Sequence, residues 1–313
     1  MTAPKTSLKN FMSRIIDYAG LYPPANLSLE EAFKNFLDYQ DSPDAWMLSR
    51  FVIPAKRLPH LTPLMPASAS ELSFTALGRS GASADEFLSN LKLDLDEILA
   101  FRETHGATVI VDMFEAALPS STLTDATQTH DLIKSASDLF NKNGITVFFE
   151  SPPGEDWQPR AENLIRALRK LKDRHVGFKL RTGGVTADAF PTTEQVSWTI
   201  AAVRDAGVPI KCTAGLHHPM RHFNESVQTK MHGFLNVFGA GALAETHNLS
   251  QAQIQSILED ENPENFSFDE SGFTWKDLRA ATSEIASNRL FATSFGSCSF
   301  DEPREDLRNL RLL

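Results

Sequence analysis

The chain has only two cysteines, Cys212 and Cys298, and they lie far apart in sequence. That excludes a disulfide framework and suits a reduced compartment. No apolar run approaches the ~18 residues that a membrane-spanning helix needs, and the N-terminal stretch MTAPKTSLKNFMSRIIDYAG has no apolar core of signal-peptide length. Positive charge is also scarce: 30 Lys and Arg stand against 40 Asp and Glu, a formal net charge of −10, and no basic run is long enough to follow a phosphate backbone. Nucleic acid and membrane surfaces are therefore not expected partners. Glycine-rich nucleotide fingerprints (GxGxxG, GxxxxGK) and HExxH metal pairs are missing as well. The expectation is a soluble cytoplasmic protein that takes a small anionic molecule, with room for a homo-oligomer.

With 42% hydrophobic and 22% charged residues, 313 residues can bury a sizeable core. Short runs rich in β-branched and aromatic residues recur between longer helical patterns: 14–20, 47–54, 71–78, 107–115, 145–152, 176–183, 208–215 and 290–297. Between them, TTEQVSWTIAAVRDAG offers a threonine cap, Val196, Ile200 and Val203 at helical spacing, and Gly207 as terminator. Leu164, Leu168 and Leu171 likewise share one helical face. Eight such units predict a (β/α)8 barrel, one domain over 1–313; a doubly wound open sheet is the runner-up. The stretch 232–244 fits a helix better than a strand, so strand eight is placed at 290–297 rather than 234–240. SQAQIQSILEDE reads as a further helix and FSFDESGFTW as a hairpin turning at Ser271-Gly272. Residues 216–289 then form an enlarged, mainly helical connection, long enough to cover part of the barrel mouth.

Alternation within the strands separates two faces. In VGFKLRTG, Val176, Phe178 and Leu180 share one parity and Gly177, Lys179 and Arg181 the other; in VPIKCTAG, Ile210 and Cys212 oppose Lys211 and Thr213. The apolar set must meet the helices, so both lysines face the interior. The same count turns Asp112 inward, opposite Val109, Val111 and Met113, and Glu150 inward, opposite Val147 and Phe149. Each strand ends at the carboxyl mouth, where barrels build their sites. Two inward amines suppress each other's protonation and burial acts in the same direction, so a neutral, nucleophilic lysine is expected. A structural salt bridge from Lys179 to Glu150 or Asp112 is the plainer reading, but two lysines and an arginine exceed what two carboxylates need.

The lysines in FKLRTGG and IKCTAG and the small-residue turn FGSCS together resemble the class I, Schiff-base aldolase barrels of the deoxyribose-phosphate aldolase type. That resemblance covers three short motifs in the second half of the chain. It implies that Lys179 forms the Schiff base, Lys211 tunes its pKa, Asp112 helps move protons, and the turn from Gly296 through Ser297 to Ser299 holds an anionic group. Arg181, the LHHP turn and the long connection before strand eight depart from the family pattern. The reading is a carbon–carbon lyase acting on a small anionic carbonyl compound, with Lys179, Lys211, Asp112 and Glu150 as catalytic residues. Arg181, Thr213, His217, Asp17, Gly296, Ser297 and Ser299 would bind substrate. No cofactor is required.

Other features support alternatives. FFESPP resembles the metal-binding strands of the enolase superfamily, which implies a divalent-metal-dependent lyase or isomerase. Five of the nine histidines (His217, His218, His222, His232 and His247) fall within 217–247, and some would ligate such a metal with Asp112 or Glu150. Adjacent His217 and His218 do not easily reach one ion, and His222, His232 and His247 read more simply as helix caps or surface residues. Cys298 would be nucleophilic only with a histidine beside it in space; alone it reads as a small packed residue. A non-catalytic barrel that binds a small acidic ligand is the third class.

Overall fold

In the computed structural model, which describes residues 4–66, 71–171 and 174–313, eight parallel strands close into a barrel. They are β1 (Ile16–Tyr18), β2 (Leu48–Pro54), β3 (Leu72–Leu77), β4 (Val109–Ala117), β5 (Thr146–Glu150), β6 (Val176–Arg181), β7 (Ile210–Thr213) and β8 (Ala292–Ser297). Each coincides with an expected run, and β8 closes the ring by pairing with both β7 and β1. The helices are α1 (Thr6–Met12), α2 (Leu29–Gln40), α3 (Ala84–His105), α4 (Ala126–Asn141), α5 (Trp157–Arg169), α6 (Thr193–Ala206), α7 (Phe234–His247), α8 (Gln251–Glu259), α9 (Thr282–Asn288) and α10 (Asp301–Asn309). None of the described helices is long and apolar enough to cross a membrane.

Local chemistry sets the helix ends. Ser28, Thr192 and Ser250 form capping boxes with Glu31, Gln195 and Gln253, satisfying backbone donors at the starts of α2, α6 and α8. Gly207 ends α6 in the left-handed region, at φ 63°. Phenylalanine fills the layer between barrel and helices: Phe33 and Phe36 of α2 pack on Phe51 of β2, Phe114 of β4 stacks on Phe140 of α4 at 4.1 Å, and Phe295 of β8 on Phe234 of α7 at 5.3 Å. Burying such rings supplies much of the hydrophobic stabilisation, about 1.5–3 kcal/mol each.

The connection between β7 and β8 carries more strand than expected. Besides α7, α8 and α9 it holds a two-stranded hairpin (His222–Asn224 with Thr229–Met231) and a three-stranded antiparallel sheet. That sheet contains the expected hairpin, Phe266–Phe268 with Gly272–Trp275, extended by Leu278–Ala281, but the chain turns before Gly272, which pairs as the first residue of the second strand, and not at Ser271-Gly272. Its aromatic residues serve the outer shell, where Phe268 and Phe273 pack on Phe11 of α1. The connection covers little of the barrel mouth: of the described residues lining the mouth cavity, Ala214 and His217 belong to it, both near its start.

Candidate active site

The register of the strands sets Glu150 beside Lys179 and Lys179 beside Lys211. Two lysines opposite each other on neighbouring strands repel, so a compensating charge must lie between them. Glu115, from β4, supplies it: Oε2 is 2.8 Å from Lys179 Nζ and Oε1 is 2.9 Å from Lys211 Nζ. Lys179 also meets Glu150 at 2.9 Å, Glu150 meets Arg181 at 3.4 Å, and Lys211 pairs with Asp17. Asp17, Lys211, Glu115, Lys179, Glu150 and Arg181 thus form one row of alternating sign across the barrel.

Glu115 escapes a simple parity count because β4 contains a bulge. Its partner β3 aligns Phe74 with Val111 but Thr75 with Met113, leaving Asp112 as the extra residue. An inserted residue reverses the alternation that follows it. Asp112 therefore faces the interior as expected, and so does Met113, whose sulfur lies 3.3 Å from Lys211 Nζ; Phe114 then turns outward and Glu115 inward. The sequence carried one clue: Asp112 and Glu115 lie three residues apart, a spacing at which no regular strand points both the same way.

Asp112 itself does not join the row. It makes a bidentate pair with Arg50 of β2, at 2.9 Å for each contact. Burial would raise its carboxyl, but Arg50 outweighs burial and holds it below the usual range. Asp17, expected to bind substrate, is fully buried; it accepts from Lys211 and from Ser294 Oγ, the latter at 2.8 Å, and so braces Lys211 instead.

The expected suppression of the Lys179 amine is reversed. Burial alone would lower its pKa, but Glu115 and Glu150 outweigh burial and raise it above the ordinary lysine value. The same contacts act on the acids against their own burial: Lys179 and Lys211 hold Glu115 at about 2, and Lys179 and Arg181 hold Glu150 low. Resting Lys179 is an ammonium between two carboxylates.

A cavity of about 250 Å³ opens above this row. Glu115, Lys179, Arg181 and Thr213 line it, joined by Tyr22, His217, Gly296 and Cys298. The Arg181 side chain is 45% exposed, so its guanidinium is available to a ligand; it and Lys179 also line a neighbouring cavity of about 240 Å³. Tyr22 was not anticipated: it lies in the loop after β1, and its buried hydroxyl has no partner among the described residues. Lys211 is engaged by Asp17, Glu115 and the Met113 sulfur, which accounts for all three of its N–H donors and leaves it beneath the cavity floor. Neither Ser297 nor Ser299 lines the cavity: Ser297 Oγ donates to the Ser299 carbonyl at 2.6 Å, and Ser299 Oγ accepts from the Glu302 amide at 3.1 Å. The turn presents Gly296 and Cys298 to the cavity instead.

The histidines scatter. His217 lines the cavity, whereas His218 pairs with Asp306 at 2.6 Å. His222 bonds the Met220 carbonyl and His247 the Arg279 carbonyl. His232, expected at a helix cap or on the surface, is buried; desolvation lowers it to about 4 despite its contact with the Pro191 carbonyl. Among the described residues, no group of three or more His, Cys, Asp or Glu is arranged to hold a metal ion.

Fold and site together define a (β/α)8 barrel with a charged pocket at its carboxyl mouth. No protein-family model and no curated protein sequence matches the chain. Among solved structures, an intracellular xylanase from Thermoanaerobacterium saccharolyticum, in complex with xylotriose, is similar at 13% identity and a TM-score of 0.36, over 81% of this chain and 86% of that one. The barrel assignment rests on the strand pairing itself.

Proposed function

We propose that the cavity binds a small carbonyl compound bearing an anionic group, and that Lys179 joins its carbonyl as a Schiff base in an aldolase-type carbon–carbon lyase reaction. The observation that carries this reading is the Lys179 amine at the cavity, within 2.9 Å of each of two carboxylates. An ammonium cannot attack, but Glu115 or Glu150 can take its proton as the carbonyl approaches. The nitrogen lone pair then forms the N–C bond, the carbonyl π pair moves to oxygen, and that oxygen leaves as water with protons that began on the ammonium. Ammonium and carbonyl thus become iminium and water with no net proton released. The carboxylates that stabilise the ammonium stabilise the iminium too, because the positive charge stays in place. The iminium draws the electron pair of the adjacent carbon–carbon bond as the hydroxyl one carbon further gives its proton to a carboxylate, yielding an enamine and an aldehyde. Arg181 holds the anionic end.

Borohydride reduction with a panel of aldehydes and ketoacids tests this: a mass adduct should map to Lys179 and vanish in Lys179→Ala. If no carbonyl compound leaves an adduct, the covalent reading fails. A second reading, a non-catalytic barrel that binds a small acidic ligand, is favoured by the salt bridges that Asp17, Glu115 and Glu150 make to the interior lysines. It predicts Arg181-dependent anion binding by calorimetry without any adduct.

A further inference from the structure

We infer that Cys298 is a second nucleophile on the same cavity, set up by His217 and Glu302 to add reversibly to a small aldehyde. Cys298 lies just beyond β8 and His217 just beyond β7, so strand pairing brings together two residues 81 apart in sequence. The Cys298 sulfur is 3.8 Å from the His217 ring nitrogens, and His217 Nδ1 is 3.1 Å from Glu302 Oε2 at the start of α10. Nδ1–H is directed at the Glu302 carboxylate and the sulfur is equidistant from the two ring nitrogens, so His217 acts on Cys298 as an adjacent cation held in place by the acid, an arrangement that activates a cysteine. Burial opposes the imidazolium, but the Cys298 and Glu302 contacts prevail and raise His217 to about 9. Cys212, in contrast, is buried on the outward face of β7 with no such partner among the described residues, and burial raises its thiol to about 12.

The chemistry needs no added oxidant. The thiol gives its proton to solvent, the sulfur lone pair forms an S–C bond to the aldehyde carbon, and the carbonyl π pair moves to oxygen, which takes a proton from the His217 imidazolium; the proton held by solvent then restores His217. The product is a thiohemiacetal, and the step reverses along the same path. Cys298 and His217 both line the cavity that holds Lys179 and Arg181, so the ligand class is a small aldehyde that fits about 250 Å³. Lys179 has no part in this step, so the inference stands apart from the Schiff-base reading.

The test uses the full chain, iodoacetamide as the thiol probe and glycolaldehyde as the aldehyde, with sites assigned by mass spectrometry. Alkylation at pH 6.5 should fall on Cys298 in preference to Cys212. It should slow at least tenfold in His217→Asn, slow less in Glu302→Gln, and be suppressed by glycolaldehyde. The suppression should persist in Lys179→Met, and borohydride should leave no stable mass on Cys298, which separates thiol capture from Schiff-base trapping. Equal alkylation of the two cysteines would overturn the inference. So would an unchanged Cys298 rate in a His217→Asn protein whose circular dichroism and melting temperature match the parent, or no protection by glycolaldehyde in the parent chain. Should His217→Asn unfold, Glu302→Gln, altered at the more exposed residue, decides by the same rate comparison.

Discussion

Lys179 and Lys211 stand in register on neighbouring strands, and the carboxylate of Glu115 lies between them, one oxygen toward each amine. The bulge at Asp112 creates this arrangement by turning Glu115 inward. Without that carboxylate, two buried ammonium groups would face each other.

Glu115→Gln keeps the shape and removes the charge. Breaking a buried pair strands the opposite charge, so the variant should lose about 3–5 kcal/mol of unfolding free energy in urea titrations. Adding Lys211→Met should restore part of that loss. Full stability in the single variant would mean that the row is not coupled as described.

Asp112→Asn separates position from role. Its pair with Arg50 is bidentate, but the Asp112 side chain is 40% exposed. Solvent screening limits the expected cost to about 1–2 kcal/mol. Borohydride adduct yield per folded molecule should be unchanged, and a collapse of that yield would return Asp112 to the reacting groups.

Arg181→Met removes the exposed guanidinium at the cavity rim. Binding of an anionic carbonyl compound should weaken roughly tenfold or more, the scale of one charged hydrogen-bonding group, with little change in melting temperature. A neutral analogue should bind both proteins alike. Equal weakening for neutral and anionic compounds would show that Arg181 shapes the cavity instead of reading charge.

His217 makes stability depend on pH. Its folded value, about 9, lies above the ~6.5 of an unfolded histidine. Its contribution is therefore fully present below pH ~6.5 and is lost as the pH rises through about 9, on the order of 1–3 kcal/mol. Melting curves of the parent and His217→Gln should differ more at pH 6 than at pH 9.5. A constant gap would mean that His217 contributes by packing alone.

The sequence determined the barrel by itself, because a strand buried on both sides must read as a short apolar run and each helix needs its cap and terminator; all eight runs became barrel strands. It also determined that Lys179, Lys211 and Glu150 face the interior, since regular alternation leaves no other side for them. What depends on local irregularity or closure came only from the tertiary structure. A bulge inserts one residue without altering the apolar pattern enough to be read, and it decided that Glu115 joins the lysines while Asp112 pairs with Arg50. Closing the ring set the loop after β7 against the loop after β8, bringing His217 to Cys298. The charge state of Lys179 was decided there as well: from sequence the two amines alone implied suppression, but the positions of two carboxylates within 3 Å reversed its sign.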